Sequence, residues 1–286
     1  MRKQFKDLTI RDAFMFAAVM TDEEQCRQFL SLALNMNILD VTVIAERTMS
    51  YHPEYHGVRL DVLAEEAGTK HRFNVEMQVR RKLGLPQRTR FYHAQLDMDA
   101  LVTGKKYNEL PDTYVIFICD FDPCGDELYK YSFRNICEET GNPLNDGNYT
   151  ILLSTKGKNE NEVPKELVHF LKYVGNPDTF TSEEDAFVNE LRKKIDSIKR
   201  NRDWEAKFML LEEMMQEERD AGKAEGKAEG KAEGTALAIL SILNAQGDIP
   251  DRLRHRILSE KDMETLNRWL TLAITSKSLI EFDTHM

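Results

Sequence analysis

Hydrophobic and polar positions alternate along two segments in the first third of the chain, and this alternation predicts two β-strands. Val58 to Ala64 carries apolar side chains on either side of Asp61, and Phe73 to Val79 is apolar at every second position. The residues between them, Glu65 to Lys70, are polar and include a glycine. We therefore expect the two strands to form a β-hairpin.

Other hydrophobic patterns predict the remaining elements of an α/β region. The run from Tyr114 to Cys119 is apolar throughout, which is typical of a strand that helices cover on both faces of a sheet. Apolar positions at helical spacing predict two short helices between Ile10 and Asn35 and a third from Pro86 to Val102. Further strands are expected at Val41 to Ile44, Leu128 to Phe133 and Tyr149 to Leu153.

The pattern changes at about Pro164, after which every predicted element is a helix. The chain has 286 residues, of which 41% are hydrophobic and 31% charged, and this is enough apolar material for about two domains. We expect an α/β domain over residues 1–160, a helical extension over 161–218 and a C-terminal helical segment over 235–286. The predicted helices are Pro164 to Val174, Ser182 to Arg202, Trp204 to Glu218, Leu237 to Asn244 and Met263 to Ser276.

A Gly-Lys-Ala-Glu repeat lies in residues 219–234, between the last two regions. On a helix, Lys223 faces Lys227 and Glu225 faces Glu229, so like charges meet. Each glycine also costs about 1 kcal/mol relative to alanine. We therefore expect a weak, fraying helix that acts as a spacer. The alternative is that the glycines allow close helix packing in a homo-oligomer formed through the C-terminal helices.

Composition and cysteine spacing exclude several classes of protein. No stretch approaches the roughly 18 consecutive apolar residues of a membrane span, and the first residues lack the apolar region of a signal peptide. We therefore expect a cytoplasmic protein with no membrane partner. Four cysteines without zinc-binding spacing are expected to be buried free thiols rather than disulfides or metal ligands. They are Cys26, Cys119, Cys124 and Cys137.

The charge of the chain is acidic overall and basic in one segment. A net charge of −10 and a pI of about 5.3 argue against a protein that coats nucleic acid through bulk electrostatics. Between Val79 and Lys106, however, seven cations stand against Asp97 and Asp99. This segment is either a solvated basic helix face or a local contact for a phosphate backbone. Its cations are Arg80, Arg81, Lys82, Arg88, Arg90, Lys105 and Lys106.

The strongest candidate for chemistry is Asp61 with the Glu76-Met77-Gln78 segment. Residues two apart on a strand share a face, so Glu76 and Gln78 point the same way, and a hairpin places Asp61 beside them. Two converging carboxylates form an oxygen site suited to Mg²⁺, with Mn²⁺ as a possible substitute. The alternative is that both are ordinary carboxylates of a solvent-facing strand.

Three further patterns have ordinary structural explanations. His52 and His56 are four residues apart, but Pro53 argues against the helix that would bring them together on a metal. Asp120 and Asp122 follow a buried strand and form either a cation site or a polar loop. An apolar stripe from Trp204 to Met215 is typical of a core or an oligomer seam.

The sequence resembles the recombination-promoting nuclease family, a branch of the PD-(D/E)XK nucleases that is also described as a transposase family. The resemblance covers nearly the whole chain and is most specific from Thr9 to Phe121. The Gly-Lys-Ala-Glu repeats fit it too. The segments that carry it are Asp12 to Phe16, Arg59 to Val62, Asn74 to Gln78, Arg88 to Tyr92 and Leu101 to Tyr107.

The resemblance implies a fold and a set of site residues. The fold is a restriction-endonuclease-like mixed central sheet flanked by helices, followed by an all-helical C-terminal region. Asp61 and Glu76 match the metal-binding carboxylates, and Asp12 matches an acidic position that assists the metal. Gln78 stands where the wider superfamily has a catalytic lysine. Arg90 and Tyr92, on the helix after the motif, are expected to contact phosphates; the alternative is an ordinary surface arginine and a half-buried tyrosine. From the basic segment, Arg80 and Arg88 are also expected to contact nucleic acid.

The glutamine at position 78 departs from the superfamily pattern. Its amide has no acid-base function at neutral pH, so activation of water would fall on the metal, and Gln78 would position that water. The missing positive charge is expected from Arg80 or Lys82. The function implied is a Mg²⁺-dependent DNA endonuclease of low sequence preference, linked to recombination or mobile elements. The alternatives are a protein that binds nucleic acid or a partner through an inactive site, and a mobile-element remnant.

Overall fold

The computed structural model of the protein describes residues 3–45, 48, 49, 58, 59, 61–69, 71–101, 106–180 and 185–286. The chain divides into two compact units, Met1–Phe208 and Met209–Met286. His52 and His56 lie outside the described residues, as does Lys105. The four-part division expected from the sequence stays a prediction.

A six-stranded mixed sheet forms the centre of the first unit, in the order β1-β4-β5-β6-β8-β7. The strands β5, β6 and β8 run parallel to one another, and the other pairs are antiparallel. Two short strands, β2 and β3, pair separately. The strands are β1 (Val41–Ala45), β2 (Thr48–Met49), β3 (Val58–Arg59), β4 (Val62–Glu66), β5 (Arg72–Gln78), β6 (Thr113–Cys119), β7 (Lys130–Phe133) and β8 (Asn148–Ser154).

The hairpin and the buried central strand are as predicted, but the first strand of the hairpin begins at Val62 and leaves Asp61 just outside it, whereas a strand from Val58 to Ala64 was expected. Strands β4 and β5 pair with Val62 opposite Val75, and the turn between them contains Gly68, whose φ of 90° favours glycine. Every residue of β6 is buried. Burial on both faces requires a layer of helices on each side of the sheet, and the structure has both layers.

The helices of the first unit are α1 (Ala13–Met20), α2 (Glu23–Leu34), α3 (Leu85–Ala100), α4 (Lys165–Gly175) and α5 (Ala186–Lys199), with short 3-10 turns at Phe5–Asp7, Tyr107–Glu109 and Glu160–Glu162. On one face of the sheet, Val75 and Met77 belong to a core that α1, α2, α4 and α5 share. On the other face, Leu63 and Phe117 pack against α3. Helix α1 is apolar on all sides, which agrees with its burial.

The helical region differs from the prediction at its longest element. Helix α6 (Arg202–Asn244) is continuous through the Gly-Lys-Ala-Glu repeat, where separate helices and a spacer were expected. Trp204 and Phe208, which belong to the first unit, pack against Phe14, whereas Met209 and Met214, which belong to the second unit, are exposed. The apolar stripe therefore belongs to the core only at its beginning.

The second unit contains the rest of α6 with α7 (Asp251–Ser259), α8 (Met263–Thr275) and α9 (Leu279–His285). Helices α7 and α9 were not predicted. The repeat is exposed up to Lys231, and burial of α6 in this unit begins at Ala232. The core of the unit includes Leu243, Ile257, Leu266, Trp269 and Phe282.

Two expectations from the sequence concern membrane-spanning helices and the burial of the cysteines. None of the described helices has the length and apolarity needed to cross a membrane. All four cysteines are free. Cys26 and Cys119 are buried as expected, but Cys124 and Cys137 are exposed, so the expectation of burial was wrong for these two.

Candidate active site

The structure brings Asp61 and Glu76 together at one end of the hairpin. Asp61 immediately precedes β4, and Glu76 lies near the end of β5. The backbone N–H of Asp61 donates to Oε1 of Glu76 over 3.2 Å, and the backbone N–H of Met77 donates to Oδ2 of Asp61 over 3.1 Å. Each carboxylate is therefore oriented by the backbone of the opposite strand.

The electrostatics of this pair oppose the ionisation of Glu76. Glu76 is 5% exposed, and burial, followed by repulsion from Asp61, raises the pKa of Glu76 to about 8. A divalent cation between the carboxylates would offset both effects and would displace the proton. The donor set suits Mg²⁺, which is usually held by one or two carboxylates together with water and phosphate oxygens.

Gln78 and Arg88 form a second part of the site. Gln78 is 6% exposed, and its Oε1 accepts a hydrogen bond from Nη1 of Arg88 over 2.6 Å. Its Nε2 donates to the backbone carbonyl of Arg80 over 2.5 Å. Nη2 of Arg88 lies 3.7 Å from Oε2 of Glu76. The amide therefore fixes a guanidinium beside the carboxylate pair.

Tyr92 completes this network from the next turn of α3. Its hydroxyl accepts from Nη2 of Arg88 over 2.8 Å and donates to Oε2 of Glu76 over 3.4 Å. Tyr92 is buried, at 7% exposure, and its ring stacks on Phe117 with centroids 5.8 Å apart. These contacts give Tyr92 a place inside the site, beside Glu76, rather than on the surface.

The start of α3 determines where Arg88 and Tyr92 lie. Gly84 precedes the helix with a φ of 78°, a value that favours glycine, and Pro86 occupies the first turn. Arg88 and Tyr92 are four residues apart and so share a helix face. That spacing was a sequence signal for the pair. The contact of Arg88 with Gln78 was missed because it depends on how α3 packs on the sheet.

The other two expected nucleic-acid contacts, Arg80 and Arg90, are exposed residues. Arg80 is exposed, and its backbone carbonyl joins the network through Gln78. Arg90 lines a cavity of about 600 Å³ on another side of α3. Arg134 and the exposed ring of Phe133 line the same cavity.

Asp12 is not brought into a three-ligand group with Asp61 and Glu76. It precedes α1, which packs on the sheet face opposite α3, and its carboxylate accepts from Nζ of Lys3 over 2.8 Å and from the backbone N–H of Thr9 over 2.8 Å. No group of three or more His, Cys, Asp or Glu residues in the described part of the chain is placed to hold a metal.

The loop after β6 uses its two aspartates for structural contacts. Asp120 pairs with Arg11 and with Lys156, the latter over 2.9 Å. Asp122 accepts from the backbone N–H groups of Cys124, Gly125 and Glu127. These contacts are those of a polar loop.

Comparison with known families identifies the chain. A model described as PD-(D/E)XK nuclease family transposase matches residues 13–227, which is well over half of the sequence. The chain belongs to this family. The predicted restriction-endonuclease-like fold is confirmed by the family together with the mixed sheet and its flanking helices. Membership supports a nuclease-like function of the hydrolase class. Comparisons with curated proteins and with solved structures found no match.

Proposed function

We propose that the protein is a metal-dependent DNA endonuclease that hydrolyses phosphodiester bonds with little sequence preference. The observation that carries the proposal is the pair formed by buried Glu76 and half-buried Asp61, joined across the hairpin and accompanied by Arg88, in a chain of this nuclease family. Two carboxylates this close, one of them buried, are unfavourable when both are ionised, and a bound cation would offset their repulsion.

Asp61 and Glu76 would hold Mg²⁺, or Mn²⁺ in its place, whereas Asp12, whose carboxylate accepts from Lys3 and Thr9, is left out of the proposed ligand set. The bound ion would supply a Lewis acid and lower the pKa of a water molecule. In the reaction, the oxygen of a water molecule forms a bond to phosphorus while the bond to a sugar oxygen breaks. The water loses one proton, and the departing oxygen gains one.

The chain's own residues bind and orient the substrate in this proposal. Arg80 and Arg90 are exposed and would contact phosphates along the DNA backbone. Contacts to phosphate position DNA without reading its sequence, so low sequence preference follows. A cytoplasmic location, assembly through the C-terminal helices and a link to recombination or mobile elements belong to the same proposal.

The test is nicking of supercoiled plasmid by the purified chain with Mg²⁺, with Mn²⁺ or with EDTA. We expect metal-dependent nicking in the wild type and its loss in Asp61→Ala and in Glu76→Ala. Glu166→Ala is the matched control, because it removes an exposed carboxylate from α4. Nicking that continues in EDTA, or that survives in both site variants, would contradict the proposal.

The glutamine at position 78 favours one rival, an inactive protein that binds nucleic acid or a partner. This rival predicts a DNA gel shift without cleavage and no metal affinity that Asp61→Ala could remove. The nuclease proposal predicts that Asp61→Ala lowers Mn²⁺ affinity in the absence of DNA. Titration calorimetry with Mn²⁺ therefore separates the two.

A further inference from the structure

Gln78 presents Arg88 with an uncharged acceptor. Its Oε1 accepts from the guanidinium over 2.6 Å, while its Nε2 donates to the Arg80 carbonyl over 2.5 Å. A carboxylate at this position would neutralise the guanidinium, whereas an amide holds it and leaves its charge in place. Gln78 therefore holds the Arg88 guanidinium in place without neutralising its positive charge.

The guanidinium of Arg88 is also fixed by the aromatic side chains beneath it. Its central carbon lies 5.4 Å from the ring centroid of Tyr92 and 5.2 Å from that of Phe117. Nη2 donates to the Tyr92 hydroxyl over 2.8 Å. An arginine held in this way is aligned before a substrate arrives, so little reorganisation is needed when it acts.

Arg88 nevertheless remains open to a ligand. Its side chain is 30% exposed, whereas that of Glu76 is 6% exposed. The hydrogen bonds to Gln78 and Tyr92 use two of the five guanidinium N–H groups, which leaves donors for the oxygens of a phosphate.

We propose that Arg88, held by Gln78, supplies the positive charge that a strand lysine supplies in the wider superfamily. The inference rests on the proposed nuclease function and gives Arg88 a catalytic role in it. The guanidinium stabilises negative charge on the phosphate oxygens as the water oxygen bonds to phosphorus, and Arg88 itself gives up no proton. In this proposal Arg88 of α3 supplies the missing positive charge that was expected from Arg80 or Lys82.

The experiment removes the positive charge at position 88 on helix α3 and introduces one at position 78 on strand β5. The full chain is compared as wild type, Arg88→Met, Gln78→Lys and the double variant Gln78→Lys/Arg88→Met, with Arg268→Met on the surface of α8 as the matched control. Methionine keeps an unbranched stem over the rings and removes the charge. Three quantities are measured: the single-turnover cleavage rate at saturating DNA with Mg²⁺, DNA affinity in EDTA, and Mn²⁺ affinity without DNA.

We expect Arg88→Met to lower the cleavage rate about 100-fold to 1,000-fold, the range for loss of one aligned donor to a transition state. DNA affinity should fall by less than about tenfold, because Arg88 would account for at most one phosphate contact, and Mn²⁺ affinity should stay within about threefold, because Arg88 is not a metal ligand. The double variant should recover at least about tenfold of the lost rate, since the lysine introduced on the strand restores a cation near the carboxylates. Gln78→Lys alone should not exceed the wild type.

Three results would overturn the inference while leaving the nuclease function in place. One is an Arg88→Met rate close to that of the wild type. Another is a loss of Mn²⁺ affinity as large as the loss of rate, which would make Arg88 a support for Glu76. The third is a double variant no faster than Arg88→Met. A wild type without metal-dependent cleavage would overturn the proposed function and this inference together.

Folding of the variants is checked by cooperative thermal unfolding. If Arg88→Met does not fold, Arg88→Lys is used in its place, because it keeps the charge and loses the planar fork. We then expect an intermediate rate with unchanged Mn²⁺ affinity. A rate equal to that of the wild type, or a loss of Mn²⁺ affinity, would contradict the role given to Arg88.

Discussion

Asp61 and Glu76 are joined through the backbone of the hairpin. The N–H of Asp61 donates to Glu76 over 3.2 Å, and the N–H that follows Glu76, on Met77, donates to Asp61 over 3.1 Å. The two side chains thus keep their positions without a metal. In the metal-free fold, burial and repulsion from Asp61 both oppose the ionisation of Glu76. This repulsion has consequences that can be measured without any nuclease assay.

The first consequence is a dependence of stability on pH. Because burial and Asp61 raise the pKa of Glu76 from 4.5 to about 8, the folded chain holds a proton that the unfolded chain releases. The contribution of Glu76 is therefore complete below pH 4.5 and is lost as the pH rises through 8. Relative to Glu76→Gln, the wild type should lose stability on the order of 4 kcal/mol across this range. Urea unfolding at pH 5 and pH 9 without metal measures the difference.

The control for this comparison is Glu166→Ala, in which the pH dependence of the wild type should persist. Parallel curves for wild type and Glu76→Gln would show that Glu76 is ionised throughout the range.

The second consequence is stabilisation by Mg²⁺. A cation that binds only the folded chain adds about 1.4 kcal/mol to the free energy of unfolding for each tenfold increase above its dissociation constant. We expect the thermal midpoint to rise with Mg²⁺ concentration, and the rise to begin at a lower Mg²⁺ concentration at pH 8.5 than at pH 6.5, because at the lower pH the ion must displace the proton of Glu76. Asp61→Asn keeps an acceptor for the Met77 N–H, and it should remove the effect. A Mg²⁺ response unchanged in Asp61→Asn would place the ion elsewhere.

Much of the fold follows from local patterns. The alternation around Asp61 and Glu76 predicted the hairpin, and the apolar run of β6 predicted a strand covered on both faces. The long helix α6 was predicted in pieces because glycines weaken a helix. The repeat contains no proline and no strong stop, however, and its two ends join helical segments, so the helix continues through it.

The site was less predictable, because it depends on packing between distant segments. Asp61 and Glu76 were found from their places in a hairpin. Arg88 meets Gln78 only because α3 lies on the same sheet face as these side chains. Asp12 stands at the start of α1, on the opposite face, and nothing in its local sequence indicates that position. Sheet faces are set by long-range packing, which one sequence does not reveal.

The cavity beside α3 gives a prediction about DNA binding. Arg90 and Arg134 line it together, and the exposed ring of Phe133 lies there as well. If each arginine contacts one phosphate, the double variant Arg90→Ala/Arg134→Ala should lower the slope of log affinity against log salt by about 2. Fluorescence anisotropy with duplex DNA in EDTA at several salt concentrations measures this slope.

Arg254→Ala, on the exposed side of α7, is the control for that measurement and should leave the slope unchanged. Mn²⁺ affinity should be unchanged in the double variant, because Arg90 lines the cavity on another side of α3 from Arg88 and Tyr92, the two residues that face Glu76. An unaltered salt slope would remove Arg90 and Arg134 from the DNA-binding surface.

The repeat in α6 provides a test of how its glycines act. A Cβ atom at Gly222, Gly226 or Gly230 would meet nothing within 4 Å, so alanine fits at each position within the chain. Because glycine is the weaker helix former, the triple alanine variant should stabilise this part of α6 by about 0.5–1 kcal/mol per substitution. Slower hydrogen exchange of the α6 amides measures the effect. Gly84→Ala, at a φ of 78°, is the opposite case and should destabilise the chain. A triple variant that loses an assembly seen in the wild type by light scattering would instead show that the glycines pack against a second copy.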